Sequence, residues 1–196
     1  MADRLARLLT EVRACTLCAP HLPLGPRPVL RARPSARLLI IGQAPGTKVH
    51  DTGIPWNDRS GDRLRTWLGL DRDAFYDDAR VAIVPMGLCY PGVDKNGADA
   101  PPRPECAPAW HPRLLPLLPK VELTLLVGAY AQRRYLGERA RATLTETVRA
   151  WADYATEYLP LPHPSWRNTA WLKKNPWFEA DLAPALRRRV ARLMAL

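Results

Sequence analysis

The residues able to do chemistry fall into three groups: Cys15, Cys18, Cys89 and Cys106; the turn Gly42-Gln43-Ala44-Pro45-Gly46; and His163, set between Pro162 and Pro164. Reduced thiolates in fours bind zinc or an iron–sulfur cluster. Here one Cys-x2-Cys pair has two scattered partners, which departs from the paired-knuckle spacing of a zinc ribbon. Four inert thiols are the alternative. An imidazole at the carboxyl end of a parallel strand can hydrogen-bond a developing oxyanion; elsewhere a histidine before proline serves structure. Trp56 follows Gly53-Ile54-Pro55 and lies off any periodic apolar face. It either lids the core or stacks on a planar ring, a contact worth about 1–3 kcal/mol per base.

The elements that must position these groups alternate between strand and helix. Leu38-Leu39-Ile40-Ile41 reads as a strand buried on both faces that stops in a Gly/Pro turn. The apolar spacing predicts strands over 36–42, 81–86, 121–127 and 158–161. It predicts helices over 2–14, from about 60 through Leu64, Trp67 and Leu68, near 73–78, from 105 through Trp110 and Leu114, and over 129–136, 141–152 and 176–196. The segment from Pro20 to Pro34 holds neither helix nor central strand and is expected over the surface. Residues 42–58 and 87–104 are expected as loops, and the second is long enough to suggest function or a bound clip. The fold class that follows is α/β, a three-layer α/β/α arrangement around a central, mostly parallel four-stranded sheet, with 1–196 as a single domain. Loops leaving strands one, two and four then converge at the end of the sheet where ligands bind.

A net charge of +10 favours a polyanionic partner, either nucleic acid or an anionic membrane surface. No stretch approaches the roughly 20 apolar residues of a membrane span. The first residues lack the order of a secretion signal, so a cytoplasmic location with reduced thiols is expected.

The combination of Gly42-Gln43-Ala44-Pro45-Gly46, Thr52-Gly53-Ile54-Pro55-Trp56, Arg59-Ser60-Gly61, the four cysteines and Leu161-Pro162-His163-Pro164-Ser165 resembles the uracil-DNA glycosylase superfamily. It is most similar to the iron–sulfur branch, whose motifs read GEAPG, TGxPF, GRxG and HPS or HPA. The resemblance spans residues 15 to 168. It implies a monomeric enzyme of base excision repair that hydrolyses the N-glycosidic bond of uracil in DNA and leaves an abasic site. Gly42, Ala44, Pro45 and Gly46 would cradle the flipped uracil, Trp56 would stack on it, and His163 would stabilise the leaving base. Ser165, Trp166, Arg167 and Asn168 would enter the DNA. Cys15, Cys18, Cys89 and Cys106 would hold a structural [4Fe–4S] cluster.

Two departures stand out. Gln43 occupies the position where the iron–sulfur branch carries a carboxylate, so Gln43 itself, Asp51 or Asp58 must serve the water or the cation, with His50 a possible water ligand. Asp51 is the preferred candidate and Gln43 a second. Pro85 falls where the family reads the uracil edge with Asn, and that task would pass to Asn57, Gln43 or backbone groups. The missing carboxylate leaves open a catalytically weak module that binds uracil or abasic DNA. A nucleotide-binding α/β protein acting on free nucleotides is a further reading.

Overall fold

The computed structural model describes residues 2–95 and 97–195. In chain order the helices are α1 (Ala2–Arg13), α2 (Thr47–Thr52), α3 (Arg59–Leu68), α4 (Arg72–Tyr76), α5 (Cys106–Leu114), α6 (Ala129–Leu136), α7 (Leu144–Arg149), α8 (Trp151–Tyr154), α9 (Thr169–Lys174) and α10 (Ala183–Met194). The strands are β1 (Leu38–Ile41), β2 (Val81–Ile83), β3 (Leu123–Val127) and β4 (Tyr158–Leu161). They form one sheet of order β2-β1-β3-β4, parallel at every pairing. The chain steps from β1 outward to β2 and then crosses to β3 on the other side. The reversal therefore falls between β1 and β3, and that is where an open α/β sheet forms its crevice.

Side chains alternate along each strand and build a core on both faces. Leu39, Ile41, Ala82 and Leu126 pack with Leu5, Leu9 and Val12 of α1 and Leu114 of α5. Leu38, Ile40, Ile83 and Leu125 pack with Leu64 and Leu68 of α3, Phe75 of α4 and Leu186 and Val190 of α10. This is the expected three-layer arrangement. No helix among the described residues is long and apolar enough to cross a membrane.

The local departures have identifiable causes. Residues 47–52, expected as loop, form α2, which Gly53 closes in the left-handed region at φ 67°. Instead of starting at 141, α7 starts after Thr143, whose hydroxyl and the Glu146 carboxylate form a capping box. The last helix is interrupted by a π turn at Phe178–Leu182. Pro184 has no N–H for the carbonyl four residues back, so the regular ladder cannot run through it. The proline-rich segment runs along the free edge of β2, where Arg31 and Ile83 exchange hydrogen bonds of 2.9 and 2.7 Å and Val29 N donates to Leu88 O at 2.7 Å. The exposed edge is thereby covered.

Candidate active site

The turn after β1 is fixed by its neighbour strand. Met86 N donates to Gly42 O and Gly87 N to Gln43 O, each at 2.9 Å, and Gly46 becomes the N-cap of α2. The turn forms the floor of an open cleft of about 470 Å³ at the carboxyl ends of the strands, within the range of roughly 300–1,000 Å³ typical of ligand sites.

Trp56 forms one wall. It is the one described non-glycine residue with positive φ, at 56°, and such a conformation persists only where the surroundings over-determine it. Three contacts do so here. A Cβ on Gly61 would lie 1.7 Å from Trp56 O, so α3 approaches the Trp56 carbonyl as only glycine allows. Arg65, only 8% exposed, reaches the same carbonyl through Nη1 at 3.4 Å, and Tyr76 Oη donates to Pro55 O at 2.8 Å. The indole lies over Gly42, where a Cβ would come within 2.7 Å of Cζ2.

His163 faces Trp56 with ring centroids 5.6 Å apart and planes at 35°. Its surface stays partly open to the cleft while protein surrounds the rest. Burial lowers its pKa below the ordinary histidine value, a shift that the nearby Asp58 carboxylate partly opposes. Ser165 N donates to His163 Nδ1 at 3.3 Å, which assigns the proton of the neutral ring to Nε2. The cleft therefore contains a neutral N–H donor beside an aromatic face. The His163 loop is braced by Asn168 Nδ2, which donates to His163 O at 2.7 Å, and by Arg63 Nη1, which donates to Ser165 O at 3.0 Å.

Gly42, Gln43, Ala44, Pro45, Gly46, Trp56, His163, Ser165, Trp166 and Arg167 all line this one cleft. Four residues singled out in the sequence do not. Asp51 is exposed on α2, where its backbone carbonyl accepts from Arg27 Nη1 at 3.0 Å. Asn57 Oδ1 accepts from Arg72 Nη2 at 3.2 Å, and Asn168 serves the loop rather than the cleft surface. His50 lies against Tyr90 with its Nδ1 buried and without a partner among the described residues, outside the cleft. The helical phase of α2 explains Asp51: Val49 is the buried residue of that helix, and Asp51 lies on the solvent side.

Asp58 and Asp99 do line the cleft, together with Lys48 and Arg59. Asp58 is engaged as the N-cap of α3, accepting from Gly61 N at 2.8 Å. Asp99 was not singled out by sequence reasoning, although its loop was marked by length. Pro85 also lines the cleft, and its carbonyl accepts from His111 Nε2 at 3.0 Å.

The sequence model of the Uracil DNA glycosylase superfamily matches residues 31–187. The chain belongs to that superfamily. Membership places it among glycosylase hydrolases that act on DNA. Among solved structures it is similar to SMUG2 of Pedobacter heparinus, with 13% identity and a TM-score of 0.38 over 82% of this chain and 74% of that one.

A second pocket, across the sheet end, gathers all four cysteines. The thiols are free of disulfides. Among the described residues no three His, Cys, Asp or Glu side chains converge as they would on a single metal ion. The rest of the pocket wall is largely apolar, with Leu17, Leu22, Pro28 and Leu88, and includes Arg103. Burial pushes the Cys89 thiol up to about 11 and Cys106 to about 12. Leu88 N donates to Cys106 Sγ at 3.3 Å, and Trp110, whose Nε1 is buried without a partner among the described residues, lines the same pocket. Four thiols on one largely apolar pocket of about 20 Å³ are the donor type a sulfur-rich cluster takes.

Proposed function

We propose that the protein is a DNA glycosylase that hydrolyses the bond between uracil and deoxyribose and leaves an abasic site. The observation that carries this reading is the neutral His163, its proton assigned to Nε2, opposite Trp56 in a cleft at the β1/β3 crevice.

The target nucleotide must first leave the duplex, at a cost of a few kcal/mol. The freed base stacks on Trp56 above the Gly42–Gly46 turn. As the C1′–N1 bond lengthens, its electron pair moves onto the base and negative charge grows on the pyrimidine oxygens. A neutral N–H aimed at that charge stabilises the departing uracilate without carrying a charge of its own. Lys48, Arg59 and Arg167 line the cleft and offer cations to a flanking phosphate. Trp166, 70% exposed with the Arg167 guanidinium 5.6 Å from its ring, is the aromatic group free to enter the space left in the stack.

The four thiols would hold the [4Fe–4S] cluster implied by the resemblance. When bound, the cluster supplies a structural crosslink. Cys15 and Cys18 follow α1, Cys89 follows β2 and Cys106 starts α5, so the chain itself joins three separate segments around one chamber.

The test is incubation of single- and double-stranded oligonucleotides carrying one uracil, followed by alkali. Strand scission at the uracil supports the reading. Tight binding of uracil DNA without scission identifies a binding module, and activity on free deoxyuridine or dUMP alone identifies a nucleotide enzyme.

A further inference from the structure

We propose that Asp99 is the catalytic carboxylate that the Gly42–Gly46 turn lacks, delivered to the cleft by Gln43 and Arg167. The proposal rests on the glycosylase reading above and names the group that receives the water proton.

The loop between Cys89 and Cys106 is tied down around Asp99 from several directions. Val93 and Asp99 form an antiparallel bridge, Ala100 N donates to Gly92 O at 2.9 Å, and Asp94 N donates to Ala98 O at 2.7 Å. From the β1 turn, Gln43 Nε2 donates to Ala100 O at 3.2 Å, the residue directly after Asp99. From the far side, Arg167 Nη2 donates to Gly97 O at 3.3 Å. The carboxylate ends beside the turn: a Cβ built on Gly46 would lie 3.8 and 3.9 Å from its two oxygens. Glycine at 46 thus leaves Asp99 next to the floor on which the base would rest. Gln43, the residue standing in place of a motif carboxylate, holds in position the loop that carries one.

Asp58 lines the same cleft but already caps α3. Asp99 keeps its oxygens exposed to the cleft. Charged groups reach the cleft from each surrounding element: Asp58 and Arg59 at α3, Lys48 on α2, and His163 and Arg167 after β4. Partial desolvation, and after it the Asp58 carboxylate, raise the Asp99 pKa while Arg167 lowers it, with a net rise.

In the reaction the C1′–N1 bond breaks and its electron pair leaves with uracil as the anion. Asp99, ionised, faces the oxocarbenium-like sugar and accepts a proton from water as the water oxygen bonds C1′. That proton passes from Asp99 to solvent, and the uracilate takes up a proton from solvent on release. Because Asp99 must be ionised, excision falls as pH drops through its pKa, which burial raises from the ordinary aspartate value.

Two measurements on the full-length protein test this. Single-turnover excision from a duplex with one uracil should fall about 10²-fold in Asp99→Asn, with loss of the acid limb assigned to the carboxylate. Binding is compared for duplexes carrying a cationic pyrrolidine abasic analogue or its neutral tetrahydrofuran counterpart. Wild type should prefer the cation, Asp99→Asn should lose about tenfold of that preference with the neutral duplex unaffected, and Gln43→Ala should weaken it only when Asp99 is present. Asp99→Glu, which keeps the charge, should retain the preference and provides the reading if the Asn variant does not fold. Excision within threefold of wild type in Asp99→Asn, or an unaltered cation preference, overturns the assignment. If wild type releases no uracil yet its cation preference depends on Asp99, the glycosylase reading fails and the catalytic role with it, and Asp99 is left as the carboxylate that faces a cationic sugar.

Discussion

Gly61→Ala separates two opposed expectations. Gly61 lies in the first turn of α3 with no positive φ, so helix propensity alone favours alanine by up to about 1 kcal/mol. The tertiary contact argues the reverse. The added Cβ would stand 1.7 Å from Trp56 O, 2.6 Å from its carbonyl carbon and 2.9 Å from its Cβ. A carbon–oxygen contact relaxes only beyond about 3.2 Å, so one backbone must retreat by more than an ångström. Neither is free to do so: Arg65 and Tyr76 hold the Pro55–Trp56 carbonyls, and Asp58 fixes the α3 terminus. Overpacking of this kind costs about 1–3 kcal/mol. For a chain of this length that is a fall in Tm of about 2–12 °C, against a rise of about 2–4 °C from propensity. The same retreat moves the indole against which His163 is set, and an ångström of misplacement costs about 10²-fold in rate. Thermal unfolding by circular dichroism and single-turnover excision read the two effects. A variant that melts at or above the wild-type temperature and excises normally would refute the close-approach argument.

Three further outcomes follow from the geometry. His163→Ala should lower excision about 10²–10³-fold with little change in DNA binding, measured by single-turnover kinetics and fluorescence anisotropy; near-normal rates remove His163 from the chemistry. Anaerobically purified protein should be brown with absorbance near 400 nm, and Cys106→Ser should lose the colour and melt earlier; colourless wild type with no iron by elemental analysis rejects the cluster. His111, 2% exposed, has its pKa lowered by burial to about 4. The unfolded chain therefore binds the extra proton first as pH falls below about 6.5, so the stabilisation is complete above that pH and is lost toward pH 4. The loss amounts to about 3 kcal/mol, and urea unfolding at pH 7 and pH 4.5 should show it in wild type and not in His111→Gln.

What the sequence revealed depended on how local the cause was. The strand at 158–161 and the helix at 129–136 have the expected bounds because unbroken apolar patterns end at proline or glycine. The cleft turn was legible for the same reason: a buried run that stops at Gly42 has one direction in which to open. Asp51 looked closer to the turn than Asp99 because sequence distance was the available measure. Once α2 forms, its phase carries Asp51 outward, while the return of the 87–104 loop brings Asp99 in from more than fifty residues away. No periodicity encodes that return, which depends on single hydrogen bonds such as Gln43 to Ala100. Arg65 was hidden for a related reason. On a helix reading it is one more surface cation, and only the fold shows it buried under Trp56 and against the rings of Phe75 and Tyr76 at 5.4 and 5.7 Å.

The thiol chamber and the cleft meet at one residue. Gly87 lines the chamber, and its amide donates to Gln43 O in the cleft floor at 2.9 Å. A Cβ there would stand 3.0 Å from Pro102 Cβ and 3.3 Å from Ala44 Cβ, so three backbone segments close on a point where no side chain fits comfortably. Pro102 belongs to the loop that carries Asp99, and Ala44 to the turn that would cradle the base. Whatever fixes Cys89 and Cys106 therefore fixes both ends of that loop, and through Gly87 it fixes the height of the loop above the cleft floor. The thiols stand apart from the cleft walls, yet they bear on its shape through a short, rigid backbone path.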